Sequence, residues 1–375
     1  MELVVVKEGG CQALEAQLHN LLAKDEITAV MVLISSECQV PVEQLGTMVQ
    51  TMDKPLFGGF FPGIIADNQL LSHGAILYGF TSPVSVVVLQ DLDAASIDQM
   101  EGHLVDALGL SDTHRQTLFT FVDGLSPHVN QLVQGLFNEF GLEINYIGGG
   151  CGNRALLSAP CVITPQGLLT SAAVLALADC NSGIGVAHGW QSVTGAFKVT
   201  EADCNRILSL DWQPAFSLYR QQVALHAGTD LTSDNFLEMA KSYPFGVSRL
   251  GDEMVIRDPI AHEGETLVCV GEVRRGAFVH IMHGEADNLI AAAHRAGERA
   301  ALALKGAIPQ HLFLVTCVSR HQFLGEQFEL ELSEVQKQGI PVFGILSLGE
   351  IANSGQGYLE LFNKTVVIGL LADES

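Results

Sequence analysis

Apolar runs of five to seven residues recur along the chain, each followed by a polar loop and then by apolar positions at helical spacing. The first run is Ala29-Val30-Met31-Val32-Leu33-Ile34, with Ser35-Ser36-Glu37 behind it. A helical pattern over 42–52, the segment Pro55-Leu56-Phe57-Gly58-Gly59 and a strand pattern at 74–80 complete the unit. The same order returns at Leu118-Phe119-Thr120-Phe121-Val122, with Asp123-Gly124-Leu125-Ser126 as the loop. A helical pattern over 129–140, then Asn145-Tyr146-Ile147-Gly148-Gly149-Gly150 and a strand pattern at 172–177 follow. A third copy opens with Leu312-Phe313-Leu314-Val315-Thr316 and the loop Cys317-Val318-Ser319-Arg320. It continues with a helical pattern over 326–337, Ile340-Pro341-Val342-Phe343-Gly344 and a strand pattern at 365–371. From Val30 to Phe57, Leu118 to Ile147 and Leu312 to Phe343 the spacings are 27, 29 and 31 residues, a drift within loop variation.

Each unit reads strand, polar loop, amphipathic helix, strand, glycine turn, strand. A strand–helix–strand connection of that length favours a right-handed parallel crossover. The pattern therefore predicts an α/β fold: mixed sheets built from three β-α-β-β-like units, at about 29–80, 118–177 and 312–371. Two parts are expected, 26–213 and 214–371, divided within the stretch 210–248. Sites in open α/β sheets form beyond the carboxyl ends of parallel strands. That singles out 36–37, 123–124, 148–153, 317–320 and 344–350, with glycines permitting close backbone approach. Elsewhere, Asp93 is expected to cap a helix that runs to Leu108 and ends at Gly109. The run 84–89 reads as a buried strand. Asp287 is expected to cap a long helix through Leu304, with Leu289, Ala293, Ala300 and Leu304 on one face. The stretch 183–219 is turn-rich and holds both tryptophans.

Composition narrows the partners. Of 375 residues, 42 are acidic and 19 basic, a net charge of −23. Such a surface repels phosphate backbones and anionic lipid, which speaks against nucleic acid and membrane surfaces. It discourages non-specific association and leaves a specific homodimer open. Residues 1–8 lack the basic region of a signal peptide. The longest apolar stretch, near 168–178, is broken by Thr and Ser and is too short to span a bilayer. The expected location is the cytoplasm. Eight cysteines occur with no CxxC pair, so zinc-ribbon and dithiol motifs are absent and buried reduced thiols are expected.

Several motifs, taken in their order and spacing, resemble the FIST family, a bacterial sensory domain with an N-terminal and a C-terminal part. They are Pro55–Gly59, Phe121-Val122-Asp123-Gly124-Leu125-Ser126, Ile147-Gly148-Gly149-Gly150-Cys151-Gly152-Asn153, His188-Gly189-Trp190, Val199-Thr200 and Pro214-Ala215-Phe216-Ser217-Leu218-Tyr219. In the second part they are Tyr243-Pro244-Phe245-Gly246, Val255-Ile256-Arg257-Asp258-Pro259, Cys317-Val318-Ser319-Arg320 and Gly349-Glu350-Ile351. One departure is Asn153, where the family often carries Asp. The resemblance implies a ligand sensor in signal transduction. It extends to stand-alone members that bind haem, sense nitric oxide and regulate a separate histidine kinase or cyclic-di-GMP enzyme.

Candidate residues follow. Haem needs an axial ligand, an apolar pocket and cations for its propionates. His188, flanked by small residues and Trp190, is the first candidate for the iron; its other reading is a buried histidine bonded to a backbone carbonyl. His280 and His283 lie three apart, so on a strand they face opposite ways and cannot share a metal. Arg320 has a planar fork suited to a carboxylate or propionate; its other reading is a partner for Glu350 or Asp123. Asp123 and Glu350 are candidates for a ligand amine, and Gly149 and Gly150 for an anion at backbone N–H groups. Cys317, close to Arg320 and His321, is a candidate nucleophile or redox thiol, or a buried strand-end residue. Three readings result: a haem-based nitric oxide sensor, a sensor of a carboxylate metabolite such as an amino acid, and a Cys-dependent hydrolase or transferase.

Overall fold

The computed structural model describes residues 1–7, 10–38, 40–92, 97, 104–108, 116–249, 254–353 and 358–372. The three units are present. In the first, strand Ala29–Ser35 runs parallel to Leu56–Phe61 and antiparallel to Ala75–Phe80. In the second, Thr117–Asp123 is parallel to Asn145–Cys151 and antiparallel to Ala173–Ala178. In the third, His311–Cys317 is parallel to Val342–Ser347 and antiparallel to Val366–Ala372. One more strand precedes each unit and adds an edge antiparallel to its last strand: Glu2–Val6, Val84–Leu89 and Asn181–Ala187. The edge strand Val84–Leu89 is half-buried where a buried strand is expected.

Between its second and last strands every unit sends a hairpin out to another unit's sheet. The first unit's Gly63–Ala66 and Gln69–Leu71 extend the third sheet beside Val342–Ser347. The second unit's Val162–Thr164 and Gly167–Leu169 extend the first sheet beside Leu56–Phe61. The third unit's Glu350–Asn353 and Leu359–Phe362 extend the second sheet beside Asn145–Cys151. Three six-stranded sheets thus interlock in a cycle. Their shared core is aromatic: Phe57 lies 6.4 Å from Phe119, and Phe119 lies 6.2 Å from Phe313. Burying these rings supplies the cohesion that interlocked sheets need.

The glycines expected as turns after the second strands lie inside those strands. Gly58, Gly148 and Gly344 pair in register with Val32, Thr120 and Leu314. A Cβ on any of the three would stand 2.1, 1.9 or 2.2 Å from the carbonyl oxygen of that partner. The repeated glycine is a condition for the parallel strands to pack, not for a ligand to approach.

The crossover helices bury apolar faces as their spacing requires; Val129–Phe140 buries Leu132, Val133, Leu136 and Phe140. The third crossover is broken into Val318–Leu324 and Phe328–Gln336, joined by a single 3₁₀ turn. The long helix is Ala286–Ala303. Its N-cap is Glu285, so Asp287 lies in its first turn rather than at its cap. Asp93 and Gly109 lie outside the described residues. Between the edge strand Asn181–Ala187 and the long helix, the chain builds a fourth, nine-stranded antiparallel sheet with its own apolar core. This inserted layer, rather than a linker, separates the third unit's edge strand from the rest of that unit.

Candidate functional site

Ser35, Asp123 and Cys317 occupy one position in the three units. Each ends the first strand, and its backbone N–H donates to the residue just before the last strand: Gly74, Ala172 and Thr365. Each side chain also receives an N–H two residues ahead, from Glu37, Leu125 and Ser319. A serine, an aspartate and a cysteine therefore do the same local work, turning the strand into the crossover. Asp123 additionally accepts from the Ser171 N–H at 2.8 Å, and its charge sits beside the thiols of Cys161 and Cys151.

Cys317 is 3% exposed and Glu350 fully buried, and the two share a hydrogen bond. Burial pushes the thiol up, with the Glu350 charge adding to it. Burial also pushes the Glu350 carboxyl well above its usual range, against hydrogen bonds from Ser347, Cys317 and the Thr365 N–H. A thiol held protonated and out of reach offers no nucleophile.

Arg320 lies at the start of helix Val318–Leu324 and is fully buried. Its Nε donates to Glu331 at 2.8 Å. Its Nη1 donates to the His188 carbonyl at 2.6 Å and to that of Lys364, and its Nη2 to that of Leu289. It makes no hydrogen bond or close ion pair with Glu350 or Asp123, although its charge acts on the buried Glu350 carboxyl and favours the ionised form. Burial raises the Glu331 carboxyl, and Arg320 opposes that rise. The guanidinium thereby ties the crossover to the long helix and to the strand end carrying His188. Nearby, buried Lys364 places its Nζ 3.1 Å from Asp258 and 5.3 Å over the Trp190 ring.

His188 is 8% exposed, and its Nδ1 accepts the Trp190 N–H at 2.9 Å. The residues around it do not fit a haem. A Cβ on Gly189 would lie 2.4 Å from the Asn288 carbonyl oxygen, and one on Gly284 would lie 2.3 Å from the Trp190 ring. The small neighbours hold the backbone and the indole tightly packed, and Arg320 is occupied where a propionate would need it. His280 and His283 are apart in their bonding as well. His280 meets Ser192 and Thr194, while His283 meets the Ser242 carbonyl beside the His226 ring. Among the described residues, no three His, Cys, Asp or Glu are arranged to hold a metal ion.

Gly149 and Gly150 lie within strand Asn145–Cys151, pressed against the third unit. A Cβ on either would come within 2.7 Å of the Gly349 oxygen or 2.5 Å of the Leu348 oxygen. The Gly150 N–H already donates to the Gly349 carbonyl. These glycines seat the exchanged hairpin rather than an anion.

A different place has unused chemistry. A cleft of about 360 Å³ lies between helix Val129–Phe140, the outer strand of the third unit's hairpin and the inserted layer. The helix presents Asn130, Val133, Gln134 and Phe137, and the hairpin presents Tyr358, Leu359 and Glu360. Three arginines, Arg249, Arg257 and Arg274, converge on it from the inserted layer. Arg257 is 2% exposed and structural: it donates to the carbonyls of Glu272, Ile256 and Leu361, with Nη2 3.5 Å from Glu360. Arg249 donates from Nε to Glu360 at 2.9 Å, and its two terminal amino groups have no hydrogen bond to a described residue. Arg274 reaches Gln134 through Nη2 at 3.0 Å and Glu272 through Nε at 3.4 Å, leaving Nη1 without one. Three arginines against Glu272 and Glu360 leave one positive charge in excess, in a chain of net −23. The one sequence signal for this site is local density: four of the 19 basic residues fall within 249–275.

Comparison with family models matches the FIST N domain over residues 28–213 and the FIST C domain over 215–353. The chain belongs to the FIST family. FIST domains are sensory domains of signal transduction. A search of curated proteins found no match. The cleft lies where the two FIST parts meet: FIST N contributes the helix, FIST C the arginines, and the hairpin strand Leu359–Phe362 lies past the matched span. Among the described residues, no helix of this FIST chain is long and apolar enough to cross a membrane.

Proposed function

We propose that this chain is a cytoplasmic sensor of a small organic anion, a carboxylate such as an amino acid, and that the three-arginine cleft is where the ligand binds. The observation that carries the reading is the set of spare donors lining a concave site, both terminal amino groups of Arg249 and Nη1 of Arg274, none with a hydrogen bond to a described residue. Such forks match a carboxylate in geometry and charge. Ligand sites favour junctions between structural parts, where binding can change how the parts sit together. Occupancy then passes to a separate signalling protein, a histidine kinase or a cyclic-di-GMP enzyme.

The test is thermal stability of the purified protein across a panel of carboxylates. A ligand at a hundredfold excess over its Kd stabilises by about 2.7 kcal/mol. Arg249→Gln is expected to abolish that gain. A gain that survives Arg249→Gln overturns the reading. Haem with nitric oxide, which the family resemblance puts first, is the competing outcome. A Soret band that shifts with nitric oxide, in a protein indifferent to carboxylates, displaces the cleft reading.

A further inference from the structure

We infer that the ligand of the cleft is an aryl acid: a carboxylate one or two bonds from an aromatic ring, rather than an aliphatic acid or an inorganic anion. The inference rests on the assignment of the cleft as the ligand site and concerns which anion it selects. Phe137 and Tyr358 come from different units and meet edge to face, with ring centroids 5.4 Å apart at 62°. Both line the cleft, and Tyr358 is 49% exposed. A half-exposed aromatic pair in a concave site offers a ring face or edge to a planar guest. Val133 and Leu359 continue that apolar wall. The unused donors of Arg249 and Arg274 belong to the inserted layer across the cleft.

The two kinds of wall divide the labour. The guanidinium forks take a carboxylate, and the ring pair takes the apolar end. An inorganic anion would leave the apolar wall wet, and a short aliphatic acid would lack the quadrupole match that rings offer one another. A neutral aromatic would leave the guanidinium groups without an acceptor. The volume of about 360 Å³ lies at the small end of ligand pockets, which suits a single ring with a short acidic arm.

The experiment is calorimetric titration of the full chain with phenylacetate, butyrate, phenylacetamide and inorganic phosphate. Phenylacetate is expected to bind about tenfold tighter than butyrate, with phenylacetamide and phosphate undetected. Phe137→Leu keeps an apolar side chain on the helix and is expected to cut phenylacetate affinity about three- to tenfold while leaving butyrate unchanged. Arg249→Gln should remove both acids. Equal affinities for phenylacetate and butyrate, with both lost in Arg249→Gln, overturn the aryl class and leave the cleft as the site. Binding of phosphate in preference to either acid overturns the class in the other direction. Acid binding untouched by Arg249→Gln removes the cleft itself.

Discussion

Two polar regions of the chain centre on arginines and use them in opposite ways. Around Arg320 each of the three guanidinium nitrogens has an acceptor: a carboxylate at Nε and carbonyls from three separate segments at Nη1 and Nη2. The residue and its partner Glu331 are both fully buried. In the cleft, Arg249 is anchored by Glu360 alone and Arg274 by Gln134 and Glu272, and both keep donors in hand, at 32% and 62% side-chain exposure. A buried ion pair with its hydrogen bonds completed is a joint: removing one member leaves an uncompensated charge. A half-exposed guanidinium with spare donors is a receptor, because a ligand can complete it without breaking the fold. Arg257 stands between the two kinds, buried like Arg320 yet lining the cleft, where it holds the floor rather than the ligand.

The contrast can be broken most forcefully at the joint. Glu331→Ala should destabilise the chain by about 3–5 kcal/mol, because Arg320 is left charged and buried. Chemical denaturation measures this, and a loss below about 1 kcal/mol would make Arg320 no joint. Arg320→Lys keeps the charge and loses the fork, so it should also destabilise, since a lysine cannot reach all four acceptors.

At the cleft the expectation reverses. Arg249→Gln should change intrinsic stability by no more than about 1 kcal/mol, since the pair with Glu360 is only partly buried and Glu360 keeps Arg257 as a neighbour. It should nevertheless remove the ligand-dependent gain of about 2.7 kcal/mol. Measuring both quantities on both variants sharpens the distinction, because a joint moves the first and a receptor moves the second.

A smaller effect separates Glu350 from the carboxylates of the surface. Its folded carboxyl titrates above its ordinary value of 4.5, because burial disfavours the charge. Folded chains then hold a proton that unfolded chains have released. The associated stability is complete below the ordinary value and is lost as pH rises toward the folded one. Glu350→Gln should flatten that decline, by about 1.4 kcal/mol for every tenfold difference in proton affinity between the folded and unfolded carboxyl. Denaturation curves taken at about pH 5 and about pH 8 measure it. An unchanged slope would mean that the carboxyl is already ionised when folded. The mildest expectation concerns His188→Ala. It should leave the Arg320 joint intact, since Arg320 uses the His188 carbonyl rather than its ring, and lower stability by about 1 kcal/mol through the lost Trp190 N–H acceptor.

Much of the fold is legible in the chain, because its causes are local or periodic. Apolar runs and helical spacing identify the crossovers and mark the polar residue at each strand end. Ser35, Asp123 and Cys317 are equivalent turn residues, yet two of them look like candidate chemistry. The demand for a side-chain acceptor at a strand-to-helix junction has the same appearance in sequence as a demand for reactivity. The glycines look like turns for a similar reason. Their register opposite Val32, Thr120 and Leu314 is a property of pairing, which spacing along one strand does not display. The cleft is not legible, because Arg249 meets Glu360 across 111 residues and Arg274 meets Gln134 across 140.

What the sequence by itself determined is therefore the unit: a strand, a crossover helix and a parallel strand with a glycine at a set depth, repeated three times in an acidic chain. Sterics within a unit require those features wherever the unit is placed. Only the tertiary structure decided how units share strands, which arginine becomes a joint and which stays open. The cyclic exchange of hairpins brings the third unit's strand Leu359–Phe362 against the second unit's helix. The inserted layer then sets its arginines across from both. That juxtaposition follows from closing three sheets on one aromatic core, a long-range condition that no single segment contains.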